Sequence, residues 1–540
     1  MVDANNPLSR RDFLGLTAGT LLPWVVGACG DDAIGETTGT SSAGGTSGGS
    51  TGTTGADGAP TSGGSTGDTG AGDGTSGGHG STGDGTSGGD ATTGDDTTGD
   101  ATTGEAEHCG GELVEFDADG VAQDLTAFPR AVLAGAMRGT SAVVCSHAGG
   151  QAAAVLRVWQ PGERAGQVRL IAEVEVVADE FGGLRHTVTG LCPGQWYRYG
   201  FFSGEGDAWT GRSVLGEFRT ALADDAVEPV TVAISACNHI ENRPWPALST
   251  AADEYYDVFL HLGDLAYNDA ATDLMAYRAS WHDYLRAEHD GAESGMARAF
   301  ARSGLYATLD DHEITNNFNP ETIDPARLDA ALRAYFEAIP LTDEADTQQV
   351  WRSWRWGRSV EFFVLDCRTE RLPSTMDSQS PQYLGPAQMQ WLKDGLAASP
   401  CVFKVILNSV PITNMPALPW DVAAADRWEG YGVQRFELLD HIDGAGIKNV
   451  WFVAGDLHVC FVGRIEPGAD GLLGSMQEVA VTGGNTNVLG DFLPGDQYAF
   501  GSSRAHALLM TFDPEAGAVH VRFVDPSTGE DAYSETLTQR

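Results

Sequence analysis

The chain has 540 residues, 70 of them glycine, and sets 75 acidic against 32 basic residues for a formal net charge of −43. That excess argues against nucleic acid as a partner, because phosphate backbones need a basic surface, but it leaves open small phosphate esters handled through metal ions. Residues 108–540 by themselves carry 60 acids and 30 bases and exceed one typical domain, so sizeable cores can form.

Residues 1–30 read as an export signal. Ser9-Arg10-Arg11-Asp12-Phe13-Leu14 is a twin-arginine motif, and the apolar stretch from Leu14 to Val26 is short for a membrane span. Val26-Gly27-Ala28-Cys29 fits a lipoprotein cleavage box, which would lipidate Cys29 and hold the protein in the periplasm or cell envelope. A plain signal with an incidental Cys is the alternative. Residues 31–107 are mostly Gly, Ser, Thr, Ala and Asp, with thirteen acids and no Lys or Arg; such a segment cannot bury enough apolar surface to offset its chain entropy and is expected to be a disordered tether.

The segment 108–222 is all-β by its punctuation, with short β-rich runs at 142–145, 154–159 and 168–177. Leu191-Cys192-Pro193-Gly194-Gln195-Trp196-Tyr197-Arg198-Tyr199, followed by Glu217-Phe218-Arg219-Thr220, resembles the closing part of a fibronectin type III sandwich. In that resemblance Tyr197 or Tyr199 supplies the corner hydroxyl. Seven cysteines follow Cys29 (Cys109, Cys145, Cys192, Cys237, Cys367, Cys401 and Cys460), and the odd count implies that at least one thiol is not in a disulfide. Pairing among Cys109, Cys145 and Cys192 is plausible, without a choice between them.

From Pro229 strands alternate with helical stretches, the sign of an α/β layer architecture. Strands are expected at 229–235, 256–262, 305–309, 360–365, 402–408, 448–454, 477–482, 507–512 and 518–524. One helix should start at the N-cap Asp324 with Pro325 in the first position and stop before Pro340; another should run from Pro386 to Ala398 with Met389, Leu392 and Leu396 on its core face.

Polar residues gather where these strands end: Cys237, Asn238 and His239; Asp264 and Tyr267 after Gly263; Asp310, Asp311, His312 and Glu313; Asp366, Cys367 and Arg368; Asp456 and His458. Ligand sites in open α/β sheets form outside strand carboxyl ends. A carboxylate with a phenolate suits iron, manganese or calcium rather than structural zinc. Each residue has a plainer alternative: an inert buried thiol at Cys237, a loop residue at His239, turn caps at Asp310 and Asp311, a carboxylate at Glu313 that either supports the ligands from behind or is solvated, an ion pair between Asp366 and Arg368, a core histidine at His458. Five such strand ends together point to a metal site.

These motifs resemble the PhoD family of alkaline phosphatases and phosphodiesterases, within the calcineurin-like metallophosphoesterases. The likeness covers about 120–525 and rests on Ser235-x-Cys237, Gly263-Asp264-x-x-Tyr267, Asp310-Asp311-His312-Glu313 with Asn316-Asn317, Leu365-Asp366-x-Arg368 with Arg371, Trp428-x-Gly430-Tyr431 with Arg435, and Gly455-Asp456-x-His458. It implies a mixed-sheet αββα metallophosphoesterase sandwich over 229–540, preceded by the all-β fibronectin type III-like domain. It also implies ferric iron (Fe3+) with one or more calcium ions (Ca2+): Cys237, Asp264 and Tyr267 on the iron, Asp264 bridging, with Asp311, Asp456 and His458 completing the set. A small phosphate monoester or diester would be cleaved by a metal-bound hydroxide, with His312 as the acid for the leaving group and Arg368 either touching phosphate or held in an ion pair.

Three departures limit that transfer. Glu429 stands where the family has Asp, Ser409 replaces a Gln before Val410-Pro411 near a usual ligand position, and Asn268 replaces a Glu after Tyr267. Glu429 and Ser409, with the β-sandwich and the long tether, support a competing reading, a non-catalytic envelope-anchored binding protein on a degraded phosphoesterase fold.

Overall fold

The computed structural model describes residues 110–205, 208–341, 348–376, 378–414 and 426–539. The export signal, Cys29, the tether and Cys109 lie outside the described residues.

The run Val230–Ser235 is β-branched and apolar, and from Val232 to Ser235 every residue is buried, as expected of a strand covered on both faces. It pairs in parallel with Val258–His261 and antiparallel with Ala507–Asp513; Val258–His261 in turn pairs in parallel with Gly304–Ala307. A second sheet carries the parallel run Val360–Val364, Phe403–Leu407, Val450–Ala454 and Gln477–Ala480, with antiparallel strands at both edges. Successive strand residues point to opposite faces. Accordingly Val232 and Ile234 of the first sheet share one core with Phe362, Val405, Leu407 and Val453 of the second. Ala233 and Phe259 face away from that core, towards Leu248, Trp281, Phe300 and Tyr335 of the helices outside the first sheet. Phe363, Ile406 and Phe452 face Met389, Leu392 and Leu438 of the helices outside the second. The layers are therefore helix, sheet, sheet, helix.

All nine expected strands are present, and both helices begin and end as their sequence signals require. Asp324 Oδ1 accepts from the Ala326 N–H at 3.0 Å and the helix runs Pro325–Ala338; the other spans Pro386–Ala398 with Met389, Leu392 and Leu396 buried. Strands Cys460–Arg464, Tyr498–Ser502 and Asp531–Leu537 were not expected. Tyr498–Ser502 contains Gly501, and Asp531–Leu537 is a largely exposed edge strand, so neither shows a clear apolar alternation.

The expected boundary near residue 222 needs correction at the backbone level. Leu133–Gly135, Ser141–His147 and Gly183–Thr189 continue the first of these sheets, because Leu305 pairs with Gly135 in parallel, giving nine strands in one ladder. Leu133–Gly135 is only three residues long, and nothing in so short a run announces its partner. The other expected strands of this segment form a separate sheet. Tyr197 is the corner residue: its Oη accepts from the Cys192 N–H at 2.8 Å, whereas the Tyr199 hydroxyl is buried without a hydrogen-bond partner. Cys192 is in a disulfide, and Cys145, Cys237, Cys367, Cys401 and Cys460 are free and buried, so Cys145 is not its partner.

Candidate metal centre

The strand ends converge through strained backbone. Cys237, Asp264, Asp456 and His458 all adopt positive φ, between 55° and 60°, a region that non-glycine residues seldom occupy and that clusters at functional sites. Gly263, at φ 99°, makes the Asp264 turn feasible: a Cβ there would lie 2.5 Å from the Asp310 Cβ. The Cys237 N–H donates to the Gly263 carbonyl at 3.2 Å and the Asn238 N–H to the Asp264 carbonyl at 2.9 Å, locking the first two loops together.

Two donor groups result. Cys237 Sγ, Asp264 and His458 offer ligand atoms within 4.8 Å of one another, and so do Asp264, Asp311 and His312. Asp264 belongs to both. The Tyr267 hydroxyl lies 3.3 Å from Asp264 Oδ2 and 3.3 Å from His458 Nε2, so it converges on the first group. Asp456 belongs to neither: its Oδ1 takes a hydrogen bond from Arg368 at 2.7 Å, while its Oδ2 is buried with no hydrogen-bond partner. His239 packs edge-on against Tyr267, ring centroids 4.7 Å apart, as part of the wall.

Burial raises the Asp264 carboxyl well above the carboxylate range, reinforced by Asp310 and Asp311. Burial likewise raises the Cys237 thiol and the Tyr267 phenol, with Asp264 adding to both. Asp456 is pushed up to about 8, chiefly by burial. Anionic donors this crowded, plus an orphaned buried carboxylate oxygen, are what a cation would satisfy, so the residues fit a bound metal. Thiolate and phenolate on one side suit a trivalent ion, and carboxylates on the other suit a hard divalent one.

Glu313 is fully buried rather than solvated. Its carboxylate accepts the N–H groups of Asp264 at 3.1 Å, Leu265 at 2.6 Å and Asp310 at 2.8 Å, tying two loops to one anchor. Asn268 donates to the Glu313 carbonyl at 3.1 Å and so braces the same turn.

Arg368 needs correction as a phosphate contact. Its side chain has no exposed surface, and the guanidinium reaches Asp310 Oδ2 at 3.0 Å, Asp456 Oδ1 at 2.7 Å and Asp426 Oδ1 at 2.6 Å. It is the cation of a buried network, with Arg371 also paired to Asp426. Nor is Asp366 its partner: Asp366 Oδ1 caps the turn by accepting the Arg368 and Thr369 N–H groups at 3.1 and 2.8 Å.

Three contributors escaped the sequence reading. Asp269 Oδ2 stands 2.8 Å from His312 Nδ1, Asn485 Nδ2 donates to the Tyr267 hydroxyl at 3.1 Å, and Asp426 joins the arginines. Asp269 lies five residues past Asp264 and could have been flagged by that spacing; Asn485 and Asp426 carry no local signal. Among the departures, Glu429 pairs with Arg427, and Ser409 is buried with its hydroxyl unpartnered while its carbonyl accepts the Gly455 N–H at 2.9 Å.

The profile of PhoD-like phosphatases matches residues 232–518, which includes every strand end described above. The chain belongs to the PhoD-like phosphatase family. This family member aligns at 25% identity over 314 residues with alkaline phosphatase D of Bacillus subtilis (strain 168), covering 51% of this chain and 53% of that protein, so it spans about half the length of that curated relative. Its fold is similar to the solved structure of PhoD, with a TM-score of 0.63 and 21% identity over 77% of this chain and 90% of the other. It is also similar to purple acid phosphatase PPD1 from yellow lupin (Lupinus luteus) seeds, with a TM-score of 0.51 and 15% identity over 76% and 74% of the two chains.

Proposed function

We propose that this PhoD-like family member is an exported phosphoesterase that hydrolyses small phosphomonoesters or phosphodiesters with Fe3+ and Ca2+. The observation that carries the reading is Asp264, shared by two donor groups, one bearing thiol, phenol and imidazole and the other bearing carboxylate and imidazole. Bound there, the cations would polarise a phosphoryl group and lower the pKa of water. Cys237, Tyr267 and His458 would hold the iron side and Asp311 the calcium side, and Asp456 would add the charge of a carboxylate whose Oδ2 has no hydrogen-bond partner. Arg368 positions Asp310 and Asp456 and does not bind substrate.

His312 is the proton donor to the leaving alkoxide. Burial opposes its charged form, but Asp264, Asp269 and Asp311 overcome it and push the imidazole up to about 10. Asp269 engages Nδ1, which leaves Nε2 for the departing oxygen. The Tyr267 ring, with centroids 4.0 Å apart and planes at 31°, packs on the imidazole and fixes its tilt.

Segment 108–222 is read as a fibronectin type III-like sandwich joined edge-on to the catalytic sheet, supported by the Tyr197 corner. The twin-arginine signal and Cys29 support export and lipid anchoring, with residues 31–107 as the tether. The deciding experiment compares hydrolysis of a chromogenic diester and its monoester by iron- and calcium-loaded protein, beside Asp264→Asn. Activity is expected to vanish in the folded variant; retained hydrolysis would overturn the assignment.

A further inference from the structure

A cavity of about 800 Å³ lies between the strands Ser141–His147 and Gly183–Thr189 and the helix Pro325–Ala338, and none of the metal-site residues line it. That volume suits a small organic molecule. Leu133, Val143, Leu184 and Phe336 give it apolar walls, and Val177, which also lines it, is 72% exposed.

Its cations are short of counter-charge. Arg130 makes one side-chain hydrogen bond, from Nε to Nδ1 of His282 at 2.9 Å, and has no ion pair among the described residues. His147 and His282, whose rings lie 4.8 Å apart, are both held near 4 by burial and by Arg130, so they are neutral and give the guanidinium no charge. Arg185 spends its Nη2 on the carbonyls of Phe336 at 2.8 Å and Ile339 at 3.0 Å, capping the helix, again without a carboxylate.

Two acids of the wall, Asp179 and Glu337, act on Arg130 through space and raise its pKa, but neither forms an ion pair with it and both hold other partners. Glu337 takes two hydrogen bonds of 2.6 Å from Arg278 and one of 3.0 Å from Arg333. Asp179 Oδ1 accepts the N–H groups of Phe181 and Gly183, both at 2.8 Å, and Asp329 is exposed. A desolvated guanidinium without an anion is costly. Its desolvation also lowers the Arg130 pKa to about 10. In a segment with twice as many acids as bases, a guanidinium with no ion pair among the described residues, set in the wall of a cavity, offers a place for the anionic end of a ligand.

We infer that this cavity binds an organic carboxylate with a hydrocarbon body, its carboxylate on Arg130 and its hydrocarbon between Leu133, Val143, Leu184 and Phe336. A guanidinium–carboxylate pair is the strong, oriented contact such a site would use.

The test is calorimetric titration of the full metal-loaded chain with octanoate, with acetate and 1-octanol as the charged and apolar halves of the probe. Octanoate should bind one per chain, at least about tenfold more tightly than either half. Arg130→Met should weaken it about tenfold or more. Because Arg130 also bonds His282, Val143→Phe provides the second variant: it narrows the apolar wall, leaves the guanidinium in place and should weaken octanoate binding about tenfold with metal content and hydrolysis unchanged. Octanoate binding no better than 1-octanol, or binding untouched by a folded variant of either kind, would overturn the inference.

Discussion

Asp269 Oδ2 and His312 Nδ1 stand 2.8 Å apart, with the carboxylate on the loop that follows Asp264 and the imidazole on the loop that follows Asp310. Asp269 Oδ1 also accepts the Asn316 N–H, so two groups orient the carboxylate, and Arg327 holds the Asp269 main-chain carbonyl at 2.8 Å. On the proposed reading the carboxylate fixes which nitrogen of His312 would give its proton to the leaving group. Asp269→Asn should therefore lower kcat about a hundredfold on esters with poor alkyl leaving groups and only a few-fold on a p-nitrophenyl ester, whose leaving group needs little protonation. Equal losses on both substrates would show that Asp269 serves another purpose.

Tyr267 places its hydroxyl between Asp264 Oδ2 and His458 Nε2, and Asn485 orients it. With ferric iron in that position, the phenolate should give a visible charge-transfer band. Tyr267→Phe should remove the phenolate band and leave only the thiolate absorption from Cys237, while part of the iron stays bound, because Cys237, Asp264 and His458 remain. Full iron loading of the unaltered protein without a visible band would take Tyr267 out of the metal's surroundings.

Removing the metals should expose a pH-dependent instability. Glu313 is pushed up to about 7 and Asp456 to about 8, and Asp264 is raised as well, in each case first by burial. The unfolded chain releases these protons near pH 4, whereas the folded apoprotein keeps them, so their contribution is full below about pH 4 and is lost as pH rises through 7 to 8. Cations neutralise the same carboxylates. The difference in Tm between metal-loaded and chelator-treated protein should widen by about 5 °C or more between pH 6 and pH 9. Parallel Tm curves would mean that these groups do not share a metal.

Much of the scaffold was legible because its signals are local. Val230–Ser235 announces a buried strand by composition, Asp324-Pro325 announces a helix start, and each metal-site loop begins where an apolar run stops. What stayed hidden depends on partners distant in sequence. Leu133–Gly135 is a strand only because Leu305 lies beside it, and Asn485 matters only because it meets a tyrosine 218 residues away. Arg368 shows the same limit: two residues from Asp366, it looks like that acid's ion-pair partner, yet the fold turns it towards Asp310, Asp426 and Asp456.

Arg368 also separates two roles that kinetics and stability can tell apart. Were it a phosphate contact, Arg368→Ala would raise KM and leave the fold intact. In the buried network it would instead strand Asp310 and Asp456 without a cation and leave Asp426 only Arg371, which costs about 3–5 kcal/mol where a buried pair is broken from one side. Arg368→Lys should recover little, because one ammonium cannot reproduce a planar fork that meets three carboxylates through different nitrogens. Arg368→Met in a chain that also carries Asp310→Asn should recover part of the loss, since one stranded charge is then gone and Arg371 keeps Asp426. Urea denaturation of the four proteins, read beside KM for a chromogenic diester, decides between the roles: unchanged unfolding midpoints with a raised KM would return Arg368 to the substrate.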